Sequence, residues 1–267
     1  MEMQAHVFER EGRPTHYWLG GQAGAPLVVL THGATIDHHE WEATAPILAS
    51  RYRVLAWDLP GHGLSRPARF SLTEAIDRLV AILDIIVVRQ AAFVGHSLGG
   101  NLHQELVFRY PERVVGMVCV DCTWNFQKLS HWESLLVKLT EPIFKIYPHR
   151  LLVEQALTAT ATSAASQELL RPAMSSLSKD EIIQVMLAAT DCLHYEPGYT
   201  INKPLLLILG DLDRTGNIRR AMPLWARQEP QSRLVIIPNA KHAPNLDAPE
   251  VFHNELMEFL KTTADVE

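Results

Sequence analysis

Six short apolar runs, separated by longer stretches with helical spacing, constrain this chain more than any other feature. Residues 27–30, 54–57, 92–94, 114–120, 205–209 and 234–237 are apolar at consecutive positions rather than at every second one. Such runs are buried on both faces, as parallel strands are beneath covering helices. The segments between them carry helix starts. Ser71-x-x-Glu74 has the capping-box pattern ahead of Ile76, Leu79, Val80 and Leu83. Asp247-x-x-Glu250, with Pro249 early in the first turn, precedes Val251, Phe252, Leu256, Phe259 and Leu260 in the same way. Alternating strand and helix predicts an α/β fold with a doubly wound, mostly parallel β-sheet. Stretches 6–8 and 15–19 form a leading hairpin around Gly12-Arg13-Pro14 in this reading.

The alternation stops between about 123 and 197, a stretch without a convincing strand. It reads as several short helices, one of them opened by Ser178-x-x-Glu181 and continued by Ile182, Ile183, Val185, Met186 and Leu187. The Ala/Thr/Ser-rich residues 156–166 fit either helix or loop. The expected organisation is a sheet domain in two parts, 1–124 and 197–267, interrupted by a helical insertion at 125–196.

Charge and cysteine usage narrow the class. Lys and Arg total 24 against 30 Asp and Glu, a formal net charge of −6, with no dense basic run. Nucleic acid is therefore not an expected partner. Three cysteines make no disulfide framework and fit a reducing compartment. The polar residues 1–14 lack a signal-peptide apolar region, and no apolar run reaches the ~20 residues of a membrane helix. The expectation is a cytoplasmic protein with no membrane span.

Chemistry enters with Gly95-His96-Ser97-Leu98-Gly99, which follows the run 92–94 and precedes a helical pattern through Leu102, Leu106 and Val107. G-x-S-x-G between strand and helix is the context of a nucleophile elbow. A sharp turn exposes the serine hydroxyl, glycines leave room where backbones crowd, and the helix N-terminus favours negative charge. Thr31-His32-Gly33-Ala34 directly follows another strand, and the glycine lets the chain turn an N–H toward the serine. The backbone N–H groups of Ala34 and Leu98 are the expected oxyanion hole.

With these stand Trp41, Asp58-Leu59-Pro60-Gly61-His62-Gly63-Leu64-Ser65, Gly100, Tyr110-Pro111-Glu112-Arg113-Val114, Leu209-Gly210-Asp211-Leu212-Asp213 and Ala240-Lys241-His242. Taken together the chain resembles the α/β-hydrolase fold superfamily, in its serine-nucleophile branch. The resemblance covers nearly everything but the insertion, which lies where that family carries a variable cap. It implies the chain order nucleophile, acid, histidine, fitted by Ser97, Asp213 and His242. Asp121, at the end of run 114–120, is the alternative acid, because some relatives use that position. A serine hydroxyl is a weak nucleophile until a base takes its proton, and the acid orients that base.

Other groups have plainer readings. His38-His39 beside Asp37 and Glu40 reads as a polar helix start rather than a metal cluster, since sequence neighbours do not converge as an i, i+4 pair does. His62 reads as structural, and His96 as a support for the elbow. Cys119-x-x-Cys122 falls at a strand end, not before a redox helix, so Cys119 reads as buried. Trp124, Phe126, Trp132, Phe144 and Tyr147 cluster at the start of the insertion and either pack it or line a pocket. Trp124, Phe126 and Phe144, with His32 and Gly33, are the pocket candidates.

The resulting expectation is a carboxylesterase-like serine hydrolase that needs no cofactor or metal. Its substrate would be a small to medium, largely apolar ester, lactone or thioester. Two alternatives remain: a C–C hydrolase, lyase or perhydrolase on the same triad, and a receptor that reuses the pocket. Histidine rather than asparagine before Ser97 counts against C–C hydrolysis, and serine rather than aspartate at 97 counts against dehalogenase or epoxide hydrolase chemistry.

Overall fold

The computed structural model describes residues 3–264; the outer ends of the two expected core segments, 1–2 and 265–267, lie outside the described residues. Strands β1 (Gln4–Arg10) and β2 (Arg13–Gly20) form the leading hairpin. Its turn is Glu11-Gly12, both with positive φ, the backbone that matches the twist of two-residue hairpins. Arg13 and Pro14, expected in the turn, belong instead to β2, opposite Arg10 and Glu9.

Then follow β3 (Leu27–Thr31), a 3-10 turn (His38–Trp41), α1 (Ala45–Leu48), β4 (Arg53–Trp57), α2 (Leu72–Ile85), β5 (Ala91–His96), α3 (Leu98–Arg109) and β6 (Val114–Val120). Four helices come next: α4 (His131–Ile146), α5 (His149–Thr160), α6 (Ala164–Ser176) and α7 (Lys179–Ala188). The chain closes with β7 (Leu205–Gly210), α8 (Ile218–Gln228), β8 (Ser232–Ile237), α9 (Pro244–Asp247) and α10 (Pro249–Thr263). The eight strands are ordered β1-β2-β4-β3-β5-β6-β7-β8. Pairings of β1 with β2 and β2 with β4 are antiparallel, and from β4 onward every pairing is parallel.

The consecutive apolar residues divide by strand periodicity into two cores, except in the edge strand β8, where Leu234 and Val235 are half-buried and Ile236 is exposed, so the run 234–237 is not covered on both faces as expected. Val29, Leu55, Trp57, Phe93, Met117 and Leu207 face one side, under α2, α3 and α8. Val28, Leu30, Val54, Val94, Val118 and Ile208 face the other, under α1 and α10. Burying a side chain such as Phe252 of α10 contributes about 1.5–3 kcal/mol.

Helix starts follow the sequence in part. Ser178 and Glu181 form a full capping box, and so do Ser130 and Glu133. Ser71 accepts the Glu74 N–H, but the Glu74 carboxylate turns to Arg13 and Arg78. Asp247 does not cap α10. Its carboxylate accepts from the Thr162 and Lys241 N–H groups, and Ala248 precedes the helix. Residues 156–166 run through the end of α5 into α6, with a short break after Thr160.

Helices α4–α7 lie between β6 and β7 in the chain, and Val153, Leu157, Leu170, Met174, Leu177 and Ile182 form a separate apolar cluster there. Ile36, from the loop after β3, inserts into that cluster. Arg66 binds the Glu181 carboxylate through Nη2 at 2.8 and 2.9 Å, and the Gln184 amide pairs with the Phe70 backbone. These contacts seat the helices over the ends of the parallel strands.

Candidate active site

At the end of β5 the chain reverses into α3 through Ser97, whose φ of 49° and ψ of −114° lie outside the ordinary regions for an L-residue. Space explains the flanking glycines. A Cβ on Gly95 would sit 2.4 Å from the Gly99 carbonyl carbon, and one on Gly99 would sit 2.3 Å from the Thr31 oxygen. The Ser97 N–H donates to Val120 O at 2.8 Å, tying the turn to β6. Leu98 opens α3, so its N–H belongs to the first turn, where no intrahelical acceptor exists.

Two other loops meet this turn. Ser97 Oγ lies 2.9 Å from His242 Nε2, and His242 Nδ1 lies 3.2 Å from Asp213 Oδ2. His242 sits between β8 and α9, and Asp213 sits just past β7. Burial pushes the Asp213 carboxyl up, but the hydrogen bond and charge of His242 and the Thr215 N–H outweigh it and hold it below its ordinary value. With Asp213 ionised, His242 Nδ1–H donates to it, which leaves Nε2 free to accept from Ser97.

Asp121 lies behind this pair. Its backbone has a positive φ of 38°, and both its carboxyl oxygens are 3.1 Å from the Gly210 nitrogen. Complete burial, followed by the charge of Asp213 and a hydrogen bond with it, raises the Asp121 pKa well above the usual range. The two carboxyls are thus pushed apart: Asp213 is biased toward its charged form and Asp121 toward its protonated form.

The remaining candidates take varied places. His32 is fully buried, with Nδ1 donating to Gly33 O at 2.7 Å and Nε2 accepting from Leu59 N–H at 3.0 Å. The ring braces the loop and has no free edge for a ligand. Gly33 N–H donates to Glu40 Oε2 at 3.2 Å, which leaves Ala34 as the next amide along the loop. Trp124 is half-buried beside the core, and Phe144 lies on α4 against the α5–α7 cluster. Phe126 departs from the pocket reading. It is 1% exposed and packs edge-on against His194 and Tyr199. The aromatic group is dispersed, with Trp132 on α4 75% exposed.

Among the described residues, two side-chain groups have metal-ligand spacing, with their ligand atoms within 4.8 Å of one another. One is Asp121, Asp213 and His242; the other is Asp37, His38 and His39. In the second, Asp37 caps the 3-10 turn through the His39 N–H and also contacts His39 Nδ1. His38 Nδ1 is 2.8 Å from Asp58 Oδ1, and Asp58 also accepts the His38 and Leu64 N–H groups. His62 is buried against Phe70, and burial lowers its pKa to about 3, so it packs as a neutral ring. Cys119, Cys122 and Cys192 are buried free thiols, and burial raises the Cys122 pKa well above the usual value, which leaves it unreactive. No helix among the described residues is long and apolar enough to cross a membrane.

Clefts of about 720 and 680 Å³ open along the seam between inserted helices and sheet. The first runs past Trp18, His38, Leu64 and Pro172, the second past Thr158, Leu212, Thr215 and Lys241. Neither has Ser97 in its wall, although the second borders the loop that carries Asp213.

Sequence comparison matches residues 28–255 to a family described as "Alpha/beta hydrolase family". A pimeloyl-[acyl-carrier protein] methyl ester esterase of Edwardsiella ictaluri is 30% identical over 256 residues, covering 91% of this chain and 96% of the relative. The dihydrolipoyllysine-residue acetyltransferase component of the acetoin cleaving system of Pseudomonas putida is 28% identical over 91% of this chain. The chain spans 65% of that longer relative. Among solved structures, the enol-lactonase of Burkholderia xenovorans LB400 superposes with a TM-score of 0.83 at 19% identity, covering 96% of this chain and all of the other. That likeness is one of fold.

Proposed function

Because the chain belongs to the alpha/beta hydrolase family, we propose that it is a serine esterase whose acyl-enzyme forms on Ser97. The single observation that carries this reading is the unbroken series from Ser97 Oγ to His242 Nε2 (2.9 Å) and from His242 Nδ1 to Asp213 (3.2 Å) at a strained strand-to-helix turn.

His242 takes the Ser97 proton as Oγ attacks the ester carbonyl, and Asp213 stabilises the resulting imidazolium. Negative charge gathers on the former carbonyl oxygen, where the Ala34 and Leu98 N–H groups receive it. Each such donor contributes about 2.7–4 kcal/mol. Collapse of the intermediate expels the alcohol, which leaves with the proton from His242. Water, deprotonated by the same histidine, then attacks the acyl-enzyme, releases the acid and returns the proton to Ser97. The raised pKa of Asp121 favours its protonated form, which leaves Asp213 as the charged partner of His242.

The substrate is a small to medium, largely apolar carboxylic ester, with a lactone or thioester open to the same chemistry. Ile36 supports this choice, since it joins the loop of Ala34 to the apolar cluster of α5–α7. So does the methyl ester named for the Edwardsiella relative. A panel of p-nitrophenyl esters of rising acyl length, with several lactones and thioesters, tests the reading. Multiple turnovers that peak at short or medium acyl chains and vanish in Ser97→Ala support it. Turnover that survives Ser97→Ala, or none on any substrate, contradicts it; in the second case a pocket reused for binding becomes the better account.

A further inference from the structure

Behind the turn at Ser97 lies a buried charge pair that the reaction scheme does not use. Glu40 and His96 are each 1% exposed, and Glu40 Oε1 lies 2.6 Å from His96 Nδ1. The Nδ1–H is not aimed along that line, so the contact is an ion pair before it is a hydrogen bond. On the other side of the ring, His96 Nε2 is 2.7 Å from the backbone oxygen of His242. Both ring nitrogens therefore face oxygen acceptors, which only the doubly protonated ring satisfies.

Glu40 is also committed. Its Oε2 accepts the Gly33 N–H at 3.2 Å, and its Oε1 accepts from Asn245 Nδ2 at 3.3 Å. The Gly33 N–H and the Asn245 amide thus hold both carboxylate oxygens in place. Packing leaves this arrangement little room, because a Cβ on Gly33 would sit 2.8 Å from His96 Nδ1. Four segments meet here: the Gly33 loop before Ala34, the 3-10 turn with Glu40, the serine turn, and the stretch from His242 to Asn245.

We infer that Glu40 and His96 form a positioning pair that locks the oxyanion loop and the His242 loop onto the serine turn in one register. The inference rests on the reading of Ser97 and His242 as nucleophile and base. Neither member touches substrate. His96 holds the His242 backbone from beneath, and Glu40 holds the amide next to Ala34. A displacement of about 1 Å at either loop is enough to cost on the order of 10²-fold in rate. The titratable and charged groups facing the His96 ring are Glu40 from the 3-10 turn, Asp213 from the loop after β7, and the His242 imidazole with its ring centroid 4.8 Å away. Burial lowers the His96 pKa, but Glu40 overrides it and the His242 carbonyl and Asp213 add to the rise.

The experiment measures kcat, KM and the pH profile of kcat/KM on the best ester of the panel for wild type, Glu40→Gln, His96→Asn, the double variant and Ser97→Ala. In Glu40→Gln the ring loses its counter-charge and the second proton on Nδ1, while the remaining proton on Nε2 faces the His242 carbonyl and the carboxylate hold on the Gly33 N–H is weakened. In His96→Asn the Glu40 carboxylate is left buried without its partner. The expected result is a kcat lower by about 10²-fold in each single variant with KM little changed. Wild-type kcat/KM falls at alkaline pH as His96 deprotonates, and His96→Asn loses that falling limb. Should a single variant fail to fold, the double variant removes both charges together and is expected to fold, with lowered kcat and no alkaline limb. Unchanged kcat in His96→Asn, or an alkaline limb that persists in the single or the double variant, overturns the inference. Ser97→Ala separates the two claims. Turnover that survives it removes the premise, whereas turnover lost there and unchanged in His96→Asn removes the positioning pair alone.

Discussion

The loops at the ends of the parallel strands and the four helices above them are held by different forces. Around Ser97 the restraints are backbone contacts and buried charge. Gly95 and Gly99 admit no Cβ, Ser97 and Asp121 carry strained dihedrals, and Glu40–His96 joins four segments. Across the seam the restraints are side-chain hydrogen bonds on partly exposed surface, such as Arg66–Glu181 and Thr162–Asp247. Helix α4 is the extreme case. Glu133 ties its first turn to Asn217 and Arg220, yet none of its residues is buried, and Trp132, Leu136 and Ile146 face outward. On the proposed reading the strand ends carry the reaction and the helices above them shape access to it.

The largest effect that would sharpen this comparison is at the acid. Asp213→Asn should lower kcat by about 10⁴-fold, since the imidazole loses the partner that sets its tautomer. Asp121→Asn should leave kcat near wild type, because its raised pKa favours the uncharged form and the hydrogen bond to His242 comes from Asp213. Steady-state kinetics on one ester distinguishes the two, and the opposite pattern would make Asp121 the acid.

Stability should divide along the same line. Phe252→Ala, beneath the sheet, is expected to cost about 3–5 kcal/mol in urea unfolding. Leu136→Ala, exposed on α4, should stay within about 0.5 kcal/mol. Comparable losses would mean that α4 is as well packed as the core. At the seam, Arg66→Ala should raise KM and spare kcat, as expected when a contact that shapes substrate binding is lost without disturbing the reacting groups. A fall in kcat at constant KM would place that contact on the wrong side of the comparison.

The smallest effect is in pH dependence. The Asp213 pKa is depressed on folding, so its stabilisation is present above the unfolded value of about 3.9 and is lost as pH falls through the lower folded value. The melting-temperature gap between wild type and Asp213→Asn should therefore be widest at neutral pH and close toward strongly acid pH. His96 has the opposite sign. Its raised pKa gives stabilisation that is complete below about 6.5 and is lost as pH rises through the folded value.

What could be read from sequence follows the same division. The parallel strands and the serine turn were legible because their causes are local: consecutive apolar residues, and glycines where backbones touch. Asp247 misled because its carboxylate was drawn to Thr162 and Lys241, partners that only the folded chain brings near. Phe126 looked like a pocket wall in a row of aromatics, but His194 and Tyr199, about 70 residues later, close around it. Glu40 and His96 stand 56 positions apart, and nothing in either neighbourhood announces a pair. Their separate motifs, the turn after β3 and the serine turn, were the only available signal.

The most direct test of the central claim is mass spectrometry after exposure to an active-site fluorophosphonate, with peptide mapping of the adduct. One adduct is expected, on Ser97, forming fast in the wild type and far more slowly in His242→Ala. No adduct, or an adduct on another residue, would contradict that claim.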